Sequence, residues 1–200
     1  MTTVVTGRTA TSPRLRAAWT VSPRGFAELA PLTGSLWLLT TGRLEGPTGT
    51  PGAATTQTDD APIGPGRAVR QVLEDLALIE GHDAASLYER AGATLRARGL
   101  GQLDSLALLS RTDERLDASV TGLGTPRPLV VTARELAAPA NPTDGTRLGP
   151  GWAVVLGGAE DGGSLLSPGE VQAALGMVRG DDPASRLPQA RTLLAVIVGG

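Results

Sequence analysis

Aromatic side chains make up only 2% of this 200-residue chain: Trp19, Trp37, Trp152, Phe26 and Tyr88 are all of them. A core without large flat rings must be assembled from Leu, Val, Ala and Ile. Each of these contributes a small area, worth roughly 25 cal/mol per Å² removed from water. Such a chain folds only if its aliphatic residues are laid out as long continuous faces, Leu stripes on helices and Val runs on strands. Hydrophobic residues at 40% and charged residues at 19% put it among globular rather than disordered sequences. Its length allows one well-filled core or two small lobes.

The aliphatic residues show two periods. Val69, Val72, Leu73, Leu76 and Ile79 recur at three- and four-residue steps and predict a buried helical stripe. Asp83 is placed to cap a second helix in which Leu87, Ala91, Thr94 and Leu95 share a face, with Gly99 as its stop. Leu103, Leu106, Ala107 and Leu109 continue the spacing and predict a third helix. Ser22 and Pro23 in "SPRGFAEL" read as a cap and first-turn proline of a short helix reaching about Pro31. In "SPGEVQAALGMV", Ser167 and Glu170 match a capping box with Pro168 at the first position.

Strand patterns fill the rest. "GSLWLLTTG" is a short apolar run between glycines, and "TTVV" near the start is a possible strand. "RLDASVTG" alternates Leu116, Ala118 and Val120 with Asp117, Ser119 and Thr121. It is joined to the Val-rich "PRPLVVTA" by "GLGTP", a linker short enough for a hairpin. "WAVVLGG", "SLL" and the closing "TLLAVIVGG" are further strands. "APANPTDGTRLGPG" is a longer loop. Residues 45–66, nearly all Gly, Pro, Thr, Ala and Asp, read as a mobile loop or linker. The expected organisation is a helix and strand in residues 1–44, that linker, and a core in 67–200 forming one domain with 1–44. The fold class is α+β, an antiparallel sheet packed against a small group of helices.

Composition excludes several chemistries. The basic residues are all Arg, as in proteins from GC-rich genomes, and are interleaved with acids to a net charge of -2, so no basic footprint for nucleic acid appears. Without Cys there is no disulfide or thiol chemistry, and His82 alone makes no metal site. No leader-like start and no membrane-length apolar run are visible, which leads to an expected cytoplasmic location. The glycine clusters lack phosphate-loop spacing. The paired acids Asp59, Asp60, Glu160, Asp161, Asp181 and Asp182 sit in turn-like sequence, where solvation is the rule. His82 beside Asp83 fits a connecting turn better than a base with its orienter.

One tripeptide resembles a reactive site. Asp104-Ser105-Leu106 is similar to the serine attachment site of phosphopantetheine carriers. Gly101 is followed by Gln102 and Leu103, however, where those carriers place a glycine two residues before the aspartate. The alternative, a small polar residue on the wet side of a helix, is preferred. No catalytic, cofactor-binding or metal-binding residue is therefore expected.

The order of elements in "SLYERAGATLRARGLGQLDSLALLSRTDERLDASVTG", "RPLVVTA", "GWAVVLGG" and "GSLLSPGEVQAAL" resembles the EspG-type chaperones of actinobacterial type VII (ESX) secretion. "SPRGFAELAPLTGSLWLL" is similar to that family's opening helix and strand. The resemblance implies a cytoplasmic, non-catalytic protein that shields secreted helical substrates of the PE/PPE or WXG type. It also implies either more chain past "LLAVIVGG" or a fold that completes itself differently. An adaptor of this kind needs an exposed surface, and Gly122, Leu123, Gly124, Thr125 and Pro126 at the expected hairpin tip are the candidate contacts. Modification of Ser105 in a carrier-like domain is the competing expectation.

Overall fold

The computed structural model describes residues 15–22, 24–33, 35–45, 65–80, 83–111, 118–132, 136–139, 145–149, 151–158, 165–179 and 192–198. Its strands are β1 (Leu15–Thr20), β2 (Gly25–Thr33), β3 (Leu36–Leu44), β4 (Gly101–Arg111), β5 (Ala118–Gly124), β6 (Leu129–Val131), β7 (Leu136–Pro139), β8 (Thr146–Leu148), β9 (Ala153–Gly157) and β10 (Leu193–Val198). Its helices are α1 (Pro65–Glu80), α2 (Ala84–Ala97) and α3 (Pro168–Arg179). The α+β class is as expected, but the strands form two antiparallel sheets instead of one. The first runs β1-β10-β9-β6-β7 and the second β2-β3-β4-β5-β8.

Three aliphatic cores stack through the molecule. Trp37, Leu39, Ala107 and Leu109 of the second sheet meet Val154, Leu156, Leu194 and Val196 of the first in the layer between the sheets. On the outer side of the second sheet, Leu36, Leu38, Leu106 and Leu108 pack against Val69, Leu73, Leu87 and Leu95 of α1 and α2. On the outer side of the first, Ala153, Val155, Leu193 and Ala195 pack against Val171, Ala174 and Leu175 of α3. The central strands are thus covered on both faces. That is why they read as near-continuous apolar runs, and why small aliphatic side chains suffice: each layer needs only modest thickness.

The helix starts at α2 and α3 follow the sequence. Asp83 accepts from the backbone N–H groups of Ala85 and Ser86. Ser167 N–H donates to Glu170 Oε2 at 2.7 Å while Glu170 N–H donates to Ser167 Oγ at 3.3 Å, a reciprocal capping box.

Four expectations are corrected. The "SPRGFAEL" helix is instead the edge strand β2, whose Phe26 and Ala30 face the helices while Ala27 and Leu29 face the other sheet. Pro31 is exposed on that edge, where a missing N–H costs no ladder bond. The third helix is instead β4, in the middle of the second sheet. "GLGTP" is not a hairpin tip: β5 pairs with β4 and β8, β6 pairs with β7 and β9 in the other sheet, and the chain between them crosses the sandwich. "SLL" contributes no strand at Leu165 or Leu166, which lead into α3 instead. "TTVV", residues 46–64 of the expected linker, His82 and the acid pairs at 59–60, 160–161 and 181–182 lie outside the described residues.

Candidate functional site

The polar residues of the interior collect at one end of the sandwich. The buried polar and charged residues among those described are Thr20, Ser22, Thr40, Thr41, Asp104, Ser105 and Thr192. Asp104 is the single carboxylate of that set. A break in strand register places it there: Thr41 pairs with Ser105 and Gly42 with Leu103, so Asp104 is an extra residue in β4 opposite no partner in β3. A bulge of this kind turns a side chain off the regular pleat, and here it aims a carboxylate at the mouth between the sheets.

Arg43, at the end of β3, answers that charge. Its Nη2 donates to Asp104 Oδ1 at 3.3 Å, with the Arg43 side chain 38% exposed and the Asp104 side chain fully covered. Arg43 Nε is buried with no hydrogen-bond partner among the described residues. The backbone oxygen of Asp104 accepts from Thr125 N–H at 2.9 Å and from the Tyr88 hydroxyl at 3.3 Å. Burial, reinforced by the Asp104 charge and opposed by Arg96, pushes the Tyr88 hydroxyl above its ordinary range and keeps it a donor.

The first sheet supplies the opposite wall. Thr41 Oγ1 donates to Gly157 O at 2.9 Å across the sandwich, and Gly158 N–H donates to Thr192 O at 2.8 Å. Thr192 Oγ1 accepts from Ser22 N–H and exchanges a hydrogen bond with Ser22 Oγ, both at 3.2 Å. The approach is close enough that a Cβ at Gly25 would overlap Thr192 Oγ1. A Cβ at Gly158 would stand 3.4 Å from Asp104 Oδ2 and 3.2 Å from Thr192 Cβ. Arg24 lies in the turn beside this mouth, its carbonyl accepting from Leu44 N–H at 2.7 Å.

Sequence reasoning singled out one neighbour of this cluster and missed the rest. Ser105 sits neither at a helix head nor on a wet helix face. It is fully buried in β4, and its Oγ has no hydrogen-bond partner among the described residues. A phosphopantetheine arm has no access to it, which removes the carrier reading. Of the expected contact residues, Gly122, Leu123 and Gly124 end β5 and Thr125 and Pro126 begin the crossing between sheets. Leu123 is half-buried and Pro126 buried. Gly124 adopts a φ of 141°, open to glycine and strained for other residues, and a Cβ there would overlap Asp104 O. The segment thus helps build the mouth by backbone contact. Arg43 carried no motif, and Asp104 was noticed only as the first residue of the Asp-Ser-Leu tripeptide; the signal for its own role was an acid inside an otherwise apolar strand run.

A sandwich of two antiparallel sheets with helices on both outer faces, and a polar mouth where strand ends from both sheets meet, is an architecture this chain shares with solved structures. The chain is similar to the RsbU and RsbW domains of Rv1364c from Mycobacterium tuberculosis, with a TM-score of 0.56 and 16% identity over 94% of this chain and 60% of that one. It is likewise similar to the PP2C phosphatase domain with a regulatory fragment of SpoIIE, a cell fate determinant of Bacillus subtilis, with a TM-score of 0.50 and 9% identity over 98% of this chain and 71% of that one. The chain therefore spans less than two thirds of the Mycobacterium tuberculosis structure. No known family's sequence profile matches the chain, and no curated protein matches it.

These likenesses correct the functional expectation. The chain shares its fold with solved structures that include a PP2C phosphatase domain and not with an EspG chaperone, so the EspG resemblance, the type VII secretion role and the non-enzymatic assignment drawn from it are set aside. The resemblance failed because it rested on the order of elements with β4 taken as a helix. Among the described residues no helix is long and apolar enough to cross a membrane.

Proposed function

We propose that this chain is a phosphatase-type domain of the PP2C fold whose ligand is a phosphate monoester, held at the mouth between the sheets. The observation that carries the reading is the shared architecture over almost the whole chain, with TM-scores of 0.56 and 0.50. The site supports it in kind. A phosphoryl group needs cationic and hydrogen-bonding groups fixed in advance where its charge sits. Arg43 offers a planar guanidinium, partly open to solvent and anchored by Asp104. The reading includes the cytoplasmic location expected from the sequence, a compartment in which phosphate monoesters are made and consumed.

PP2C-type phosphatases imply a divalent metal centre. The described residues do not fit one: no three His, Cys, Asp or Glu side chains lie together among them in a way that could hold a metal ion. The one buried carboxylate among the described residues, Asp104, already faces a guanidinium, and Gly158 and Thr192 lie across the mouth from it.

The test is calorimetric titration of the chain with a phosphoserine peptide and its unphosphorylated twin. Roughly tenfold or tighter binding of the phosphorylated form is expected, the scale of one or two charge-assisted hydrogen bonds. Equal affinity for the two peptides overturns the reading.

A further inference from the structure

We infer that the Arg43 guanidinium takes the place of a divalent cation as the positive charge of this site, so that anions bind there without metal. The inference rests on the phosphatase-type reading and names the device by which this chain would meet its ligand's charge.

The argument starts from what a metal would need. A hard divalent cation is held by several oxygen ligands, usually more than one of them a carboxylate. Among the described residues the mouth offers Asp104 alone as a buried acid. Facing it, the end of β9 carries Gly157 and Gly158, which have no side chains to give. The space beside Gly158 is narrow: a Cβ there would stand 3.2 Å from Thr192 Cβ and 3.4 Å from Asp104 Oδ2. Arg43 Nη2 stands 3.3 Å from Asp104 Oδ1, so a cation on that carboxylate would meet a fixed like charge.

The same arrangement leaves Arg43 donors to spare. A guanidinium has five N–H donors. The Nε donor is buried without a partner among the described residues, and a buried donor left unmade costs about 1–3 kcal/mol. With the side chain 38% exposed, an oxyanion entering from solvent can reach the open part of the Arg43 guanidinium while Asp104 holds it in orientation. Asp104 is therefore a positioning residue, and Arg43 is the residue that touches the ligand.

The experiment measures binding of inorganic phosphate and of a phosphoserine peptide to the intact chain, once with EDTA and once with added Mn²⁺. Electron paramagnetic resonance follows bound Mn²⁺ directly. Affinities that agree within about twofold in the two conditions are expected, together with no stoichiometric Mn²⁺ binding. Arg43→Met strands a buried carboxylate and risks unfolding, so the variants are Arg43→Lys and the double Arg43→Met, Asp104→Asn. The double variant is expected to lose roughly tenfold or more in phosphate affinity while keeping its circular dichroism, and Arg43→Lys to keep most of it. Phosphate binding that requires Mn²⁺, or a stoichiometric Mn²⁺ site lost in Asp104→Asn, overturns the inference and leaves the phosphatase-type reading standing. No preference for phosphate in either condition overturns both.

Discussion

At the scale of single residues, the interior contains polar atoms whose satisfaction can be tested one at a time. Thr40 is fully buried and its Oγ1 has no hydrogen-bond partner among the described residues. Thr40→Val keeps the shape and removes the stranded oxygen, so the variant is expected to be more stable by about 1 kcal/mol. A urea midpoint that falls instead would show that the hydroxyl has a partner. Glu28 is a different case. Burial pushes its carboxyl above the ordinary value of 4.5, with Arg70 opposing and Glu74 adding to the rise. The folded state then binds this proton more tightly than the unfolded chain does. Its contribution is most favourable below 4.5 and is lost as pH rises through the raised folded value. Urea midpoints measured across pH should show wild type losing stability relative to Glu28→Gln over that rise. Parallel curves for the two proteins would mean Glu28 is solvated as in the unfolded chain.

At the scale of elements, local rules were legible where solvent covers one face and misleading where protein covers both. The capping box of α3 is written into Ser167, Pro168 and Glu170, and the structure makes both of its hydrogen bonds. Ser167→Ala should cost about 1 kcal/mol in chemical denaturation, and a negligible change would mean that α3 is held by its Val171 and Leu175 packing alone. The strand β4 misled for an identifiable reason. Leu103, Leu106 and Leu108 all face the helices, and the bulge at Asp104 stretches the first interval from two residues to three, which imitates helical spacing. The residue that defines the candidate site is thus the one that disguised its element. In β2 the cap-like Ser22 and Pro23 outweighed an alternation hidden by apolar residues on both faces. The mouth itself was not legible, because it is assembled from residues as distant as Ser22 and Thr192 by sheet pairings that no local pattern encodes. The α+β class survived these errors because it depends on the mixture of elements and not on their register.

At the scale of the whole molecule, the strands β3, β4, β9 and β10 each serve two cores at once, and this governs how the fold comes apart. Leu38 belongs to the helix-facing layer while Leu39 belongs to the layer between sheets; Leu193 packs toward α3 while Leu194 packs inward. Removing either sheet would therefore expose both of its faces, and neither helix layer has a platform without its sheet. The reporters needed to test this are already in place. Trp37 lies inside the layer between the sheets, and Trp19 and Trp152 pack against it, so tryptophan fluorescence reads that layer selectively. Far-ultraviolet circular dichroism reads the helices and strands of all layers. If the sandwich is one cooperative unit, the two signals should follow a single transition in urea. Leu156→Ala, which opens a cavity at a fully buried position between the sheets, should lower the stability seen by both probes by about 2–5 kcal/mol. Circular dichroism that falls before fluorescence would mean that the helices leave a surviving sandwich, and the variant would then shift the second transition only.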